Sequence, residues 1–143
     1  MKSLLALLPL LTAGPLFGQD TAGQDTADQA AVKEVIVSAY VDGLHQNRDA
    51  EAGRAGFHPE FIMHVNREGQ VSQVPRDQWF SRLNGEKNEN EMTHEFAYVD
   101  VTENVASAKI RMYSNGEHIF TDYMGLYRGE DGWRIVNKVF QAH

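Results

Sequence analysis

The chain has 143 residues, 42% hydrophobic and 23% charged, with a formal net charge of −7; that length suits one globular domain and leaves little room for two. An acidic chain with no basic run argues against nucleic acid and anionic membrane surfaces as partners. Cysteine is absent, which excludes a disulfide scaffold, a thiolate nucleophile and a Cys-ligated metal.

The N-terminus has the parts of a secretory signal. Lys2 supplies the positive region and Leu4 to Leu11 a short apolar one. Ala13-Gly14-Pro15 and Gly18 follow as small and turn-forming residues. Cleavage is expected after Gly18, although Leu16 at the −3 position is larger than usual. The apolar run to Phe17 is broken by Pro9, Gly14 and Pro15 and is too short for a stable span, and no lipid-accepting cysteine lies near it. Next comes a tandem repeat, Gly18-Gln19-Asp20-Thr21-Ala22 and Gly23-Gln24-Asp25-Thr26-Ala27. Without large apolar groups it cannot bury a core and reads as a flexible tether. The expected organisation is a signal over 1–18, a linker over 19–27 and a folded domain over 28–143, secreted or periplasmic.

From Ala27 the period is helical: Val32, Ile36, Ala39, Tyr40, Gly43 and Leu44 recur at three- and four-residue steps. Thr26 with Gln29 fits a capping box, so a first helix is expected to about His45. Asp49 caps a short second helix to about Gly56, and Pro59 closes it. Phe61 to Asn66 reads as a strand, and Pro75 opens a third short helix carrying Trp79, Phe80 and Leu83. Strands follow at Met92–Val101, Val105–Tyr113, Glu117–Tyr127 and Trp133–Gln141. The Asn115-Gly116 pair is the strongest hairpin signal. Simple alternation puts Met92, His94, Phe96, Tyr98 and Asp100 on one face of their strand, and Trp133, Ile135, Asn137 and Val139 on one face of the last. Lys138 then points the other way unless a bulge intervenes.

Helices first and then strands joined by tight turns predict an α+β fold. A long N-terminal helix and two short ones pack on one face of a curved antiparallel sheet of about five strands. Such a cone has an open end suited to a ligand. Trp133, Ile135, Ile36 and Tyr40 are expected in its core.

Three stretches carry a resemblance: Ala39-Tyr40-Val41-Asp42-Gly43-Leu44; His58-Pro59-Glu60-Phe61 with His64; and Phe120-Thr121-Asp122-Tyr123-Met124-Gly125-Leu126 leading into Gly132 to Phe140. From about Asp28 to the C-terminus the chain resembles the NTF2-like superfamily, and within it the group known as putative lumazine-binding proteins. The resemblance implies the cone, a pocket and often dimers formed through the sheet. It implies no particular reaction.

The candidate acid/base groups are few. His58 and His64 flank the start of the first strand; Pro59 intervenes, their spacing is not that of helical metal ligands, and no metal is expected. His58 suits a structural role where the helix ends, or a pocket role. His64 can face pocket or solvent. Asp122 shares a face with Phe120, Met124 and Leu126, so it is either paired, with Lys138 or Arg111, or carries a raised pKa. Tyr40 lies on the apolar helix stripe, where a buried phenol needs a partner. In the isomerase branch of the resembled superfamily, a helix tyrosine and a strand acid stabilise an enolate, which pairs Tyr40 with Asp122 or Asp100. Trp79 suits core or lid better than a stacking platform, and Asn137 suits ligand orientation.

His64, Asp122 and Asn137, with Tyr40 and Trp79 at the wall, are expected to line one cavity. No phosphate-binding glycine loop, nucleophile elbow or His-Glu-x-x-His motif occurs, and no cofactor is called for. The favoured reading is an exported protein that binds a small apolar or aromatic ligand. The alternative is a cofactor-independent isomerase or dehydratase using a His/Asp pair, with His64 and Asp122 as the catalytic candidates. The sheet face opposite the helices is expected to carry Ser107, Lys109, Arg111, Ile119, Thr121, Tyr123 and Tyr127, a mix that suits a homodimer interface or a solvated surface.

Overall fold

A computed structural model describes residues 25–143. The expected signal, its cleavage site and most of the linker lie outside the described residues.

Helix α1 spans Ala27–Val35. Thr26 and Gln29 close the capping box in both directions: the Gln29 amide donates to Thr26 Oγ1 at 3.1 Å and the Thr26 amide donates to Gln29 Oε1 at 2.9 Å. The chain then winds on, without a break, as a π-helical segment over Ile36–Gln46. The wider winding shows in the exit bond, where the Asn47 amide donates to the carbonyl of Asp42 at 2.9 Å. Helix α2 spans Ala50–Gly56, with Asp49 Oδ1 accepting from the amides of Glu51 and Ala52. Helix α3 is shorter, Arg76–Phe80.

The sheet has six strands, not about five: β1 Phe57–Arg67, β2 Gln70–Pro75, β3 Met92–Thr102, β4 Val105–Ser114, β5 Glu117–Gly129 and β6 Gly132–Ala142. Their order is β2-β1-β6-β5-β4-β3. The pairings are antiparallel except β1 with β6, which is parallel. Gln70–Pro75, too polar to read as a strand, is held as one by backbone pairing to β1 through the Glu68-Gly69 turn.

The helices cover one face of this curved sheet. Ile36, Tyr40 and Ile135 are fully buried, and Trp133 is almost so, as the apolar periods predict. Phe57, Phe61, Trp79 and Phe80 form a cluster of largely edge-on rings beneath α3. Full burial of Phe57, Phe61 and Phe80 contributes roughly 1.5–3 kcal/mol each.

Four register shifts interrupt the sheet: one in β1 between Phe57 and Ile62, and three single-residue bulges in β3, β5 and β6. Phe96 pairs with Ile110 and Tyr98 with Lys109, so Ala97 is the extra residue; beyond it Val99 turns inward while Tyr98 and Asp100 face out. In β5, Met112 pairs with Phe120 and Tyr113 with His118, so Ile119 is extra. In β6, Leu126 pairs with Ile135 and Gly125 with Asn137, which leaves Val136 extra. Asn137 and Val139 are therefore exposed and Lys138 is buried, the reverse of simple alternation. One residue more on one strand exchanges the faces of every residue after it.

Candidate functional site

The Val136 bulge brings Lys138 into the cone, where Tyr40 from the π-helical segment and Asp122 from β5 already point. Lys138 Nζ donates to Asp122 Oδ1 at 2.9 Å and to Tyr40 Oη at 2.8 Å. Tyr40 Oη in turn donates to Asp122 Oδ2 at 2.8 Å. All three side chains are buried, and four rings surround the ammonium. Those of Phe140 and Tyr40 are nearest, with centroids 4.5 and 4.7 Å from Nζ. Burial pulls Lys138 below its ordinary pKa, and the Asp122 charge and hydrogen bond work against that shift. Burial first, and then the Asp122 charge and hydrogen bond, hold the Tyr40 phenol well above its usual value. Tyr40 therefore stays protonated and serves as a donor.

His45 follows Tyr40 by five residues, a step that the π winding turns into contact. The two rings meet edge-on with centroids 4.5 Å apart. Burial, reinforced by the nearby Lys138 charge, pushes the His45 pKa down to about 3. Its Nε2 is buried and has no hydrogen-bond partner.

Above this cluster opens the mouth of the cone. The cavity holds about 350 Å³ and is bordered by Leu44, His45, Arg48, Trp79, Leu83, Asn88, Met92, Ser114, Ile119 and Phe120. Its walls are largely apolar and aromatic, with Arg48, Asn88 and Ser114 as polar groups. A second cavity of about 330 Å³ lies by the β5–β6 turn, among His58, Tyr127, Arg128 and Arg134. It is lined mainly by charged and turn residues and does not touch the buried cluster.

The expected single cavity is not formed. Tyr40 and Asp122 meet directly, and Trp79 stands at the cavity wall with its ring 6.3 Å from that of Tyr40. His64 lies on the outer sheet face between Gln73 and Val139, its Nε2 3.4 Å from Gln73 Nε2. Asn137 is also outside, where its Oδ1 accepts from the Gly125 amide at 3.0 Å. Its side chain fills the space over Gly125, and a Cβ there would stand 2.7 Å from Asn137 Oδ1. His58 borders the second cavity, its Nδ1 accepting from the Glu60 amide at 3.1 Å, a local structural contact. Asp122 takes the paired state, and its partner is Lys138; Arg111 bonds to Glu95 instead. Among the described residues no histidine hydrogen-bonds a carboxylate, and no three His, Asp or Glu side chains converge as metal ligands.

Lys138 and His45 were not singled out as site residues from sequence. A lysine among Trp133, Ile135, Val136, Val139 and Phe140 of the last strand was the available signal for the first. For the second there was none, because a five-residue step is invisible to a period of 3.6.

The helix-covered, curved sheet with a cavity at its open end defines a protein of the NTF2-like class. Solved structures agree. An NTF2-like protein of unknown function from Shewanella baltica OS155 shares 24% identity, covers 84% of this chain and 98% of its own, and superposes with a TM-score of 0.67. One from Silicibacter pomeroyi DSS-3 shares 21%, covers 84% and 100%, and has a TM-score of 0.69. One from Methylobacillus flagellatus KT shares 20%, covers 85% and 96%, and has a TM-score of 0.68. At these identities the likeness is one of fold. The family is shown by sequence: the chain belongs to the family described as "Putative lumazine-binding", whose model matches residues 27–141. No curated protein matches it.

Proposed function

We propose that this protein binds a small, flat aromatic ligand in the mouth cavity and does so outside the cytoplasm. One observation carries the reading. The cavity is walled by Trp79, Phe120, Leu44, Leu83, Met92 and Ile119, and the His45 ring at its border holds a buried nitrogen with no partner. A buried polar atom without a partner costs about 1–3 kcal/mol, which a ligand hydrogen bond at the ring can offset. The groups best able to move protons, Tyr40, Asp122 and Lys138, are hydrogen-bonded to one another behind the wall. Membership of a family described by lumazine binding supports a planar heteroaromatic ligand.

Titration with lumazine, followed by calorimetry and tryptophan fluorescence, tests this. One equivalent should bind, and Trp79→Ala should weaken it at least about tenfold, the equivalent of one lost aromatic contact. No binding of lumazine, together with no small molecule retained in the native mass spectrum of protein from its host, would overturn the proposal. Export is tested by N-terminal sequencing of the same material, which should begin near Gln19; an intact Met1 would count against it.

The isomerase or dehydratase alternative draws support from the Tyr40–Asp122 hydrogen bond, and it would use that pair in place of a His/Asp pair. The outer sheet face supports a homodimer. A row of paired residues, Tyr98, Lys109, Tyr123, Val139 and His64, crosses it, with Tyr98, Tyr123 and Val139 each more than 40% exposed. Sedimentation at micromolar concentration should show a dimer that Tyr123→Glu dissociates; monomer alone would remove the claim.

A further inference from the structure

Lys138 and Asp122 are the buried charged side chains of the described chain. An ion pair needed only for stability could sit anywhere in the core. This one sits behind a single layer of rings at the cavity wall. Trp79 and Phe120 both border the mouth cavity, and their centroids lie 5.4 and 5.8 Å from Lys138 Nζ. Both rings are only partly buried, and Trp79 is carried by a helix of five residues. Two of the three ammonium N–H groups are taken up by Tyr40 and Asp122; the third has no hydrogen-bond partner among the aromatic faces. A phenol and a carboxylate thus touch both the nitrogen and each other.

We propose that Lys138 is a reactive amine that condenses with a small aromatic aldehyde entering through the mouth cavity, with Asp122 and Tyr40 handling the protons. The proposal rests on the mouth cavity being the ligand site. The reaction requires the Trp79 ring to swing aside, because Lys138 itself does not border the cavity. Lys138 passes one proton to Asp122 Oδ1, and the freed nitrogen pair attacks the carbonyl carbon. The carbon–oxygen π bond breaks as the oxygen takes the Tyr40 proton. The nitrogen, now positive, returns a proton to the Tyr40 oxygen, leaving a neutral carbinolamine. Asp122 then protonates the hydroxyl, which leaves as water while the carbon–nitrogen double bond forms. The product is a protonated imine, so the charge that Asp122 balances is unchanged and no oxidant or reductant is consumed. Desolvation favours the neutral amine, which supports the same assignment.

The test is reductive trapping of the full chain with benzaldehyde and cyanoborohydride, read by peptide mapping. Lys138 should gain a benzyl group at least about tenfold faster than Lys87, Lys33 or Lys109. Tyr40→Phe should slow that labelling about a hundredfold, the lower range for a positioned acid–base group. Trp79→Ala removes the ring between the cavity and Nζ, so at saturating benzaldehyde, where weaker binding no longer limits the rate, it should speed the labelling. Lys138 unlabelled in both the full chain and Trp79→Ala, or labelled no faster than Lys87, overturns the proposal. Lumazine titration runs alongside. Lumazine binding without trapping overturns the lysine proposal alone. Trapping without lumazine binding supports it and corrects only the ligand class.

Discussion

Lys138→Met is the most informative single change. It removes a cation whose Nζ lies 2.9 Å from Asp122 Oδ1, a gross attraction of about 6 kcal/mol at an effective dielectric of 20. The methionine regains part of this, because it needs no desolvation and fits among Phe140, Phe120 and Trp79. Asp122, however, is 0% exposed and keeps only the Tyr40 hydrogen bond. Breaking a buried pair from one side costs about 3–5 kcal/mol, because the remaining charge has no water to turn to. For a domain of this size that corresponds to a fall in Tm of roughly 10–20 °C. Urea unfolding followed by tryptophan fluorescence, with calorimetric melting, measures it. The companion is the triple variant Tyr40→Phe, Asp122→Leu, Lys138→Met, which replaces the cluster by apolar groups of similar size. It should recover to within about 1 kcal/mol of the parent or exceed it. A single variant that loses less than about 1 kcal/mol, or a triple no better than the single, would show that the cluster is solvated and the reasoning wrong.

Two further outcomes are expected. His45 stays neutral in the fold down to about pH 3, whereas an unfolded histidine takes a proton below about pH 6.5. The unfolded state then binds more protons, so stability falls as pH drops through that window, by at most about 1.4 kcal/mol per pH unit; His45→Phe should flatten the slope in urea melts taken between pH 6.5 and 4, and an unchanged slope would mean that His45 is not the source. Gly53→Ala places a methyl group against Leu44 and within 2.9 Å of the Phe80 ring, so it should destabilise by about 1–3 kcal/mol; a neutral melt would show that α2 can move away from the π-helical segment.

The elements and the core were legible in the chain because their signals are local. The Thr26–Gln29 capping box and the Asn115-Gly116 turn act within a few residues and hold in the structure, and the apolar residues of the period to Leu44 are all buried although the winding is π from Ile36. Alternation through Ala106, Ala108, Ile110 and Met112, and through Asp122, Met124 and Leu126, also holds, since no bulge interrupts those runs. That Asp122 would be paired or protonated follows from a related rule, since a carboxylate on an apolar face must find a cation or a proton; the choice of Lys138 over Arg111 belongs to the structure.

Which residues share the site was decided by tertiary structure. Strand parity beyond a bulge depends on how two strands hydrogen-bond, and one extra residue at Val136 moved Lys138 into the cone and Asn137 out of it. Parallel pairing of β1 with β6 set His64 beside the outward-facing Val139, away from Asp122. The π winding set His45 against Tyr40, a contact that no regular α-helical period contains. Side-chain chemistry along the chain chose the elements and filled the core; backbone pairing between distant segments chose which polar groups meet inside it.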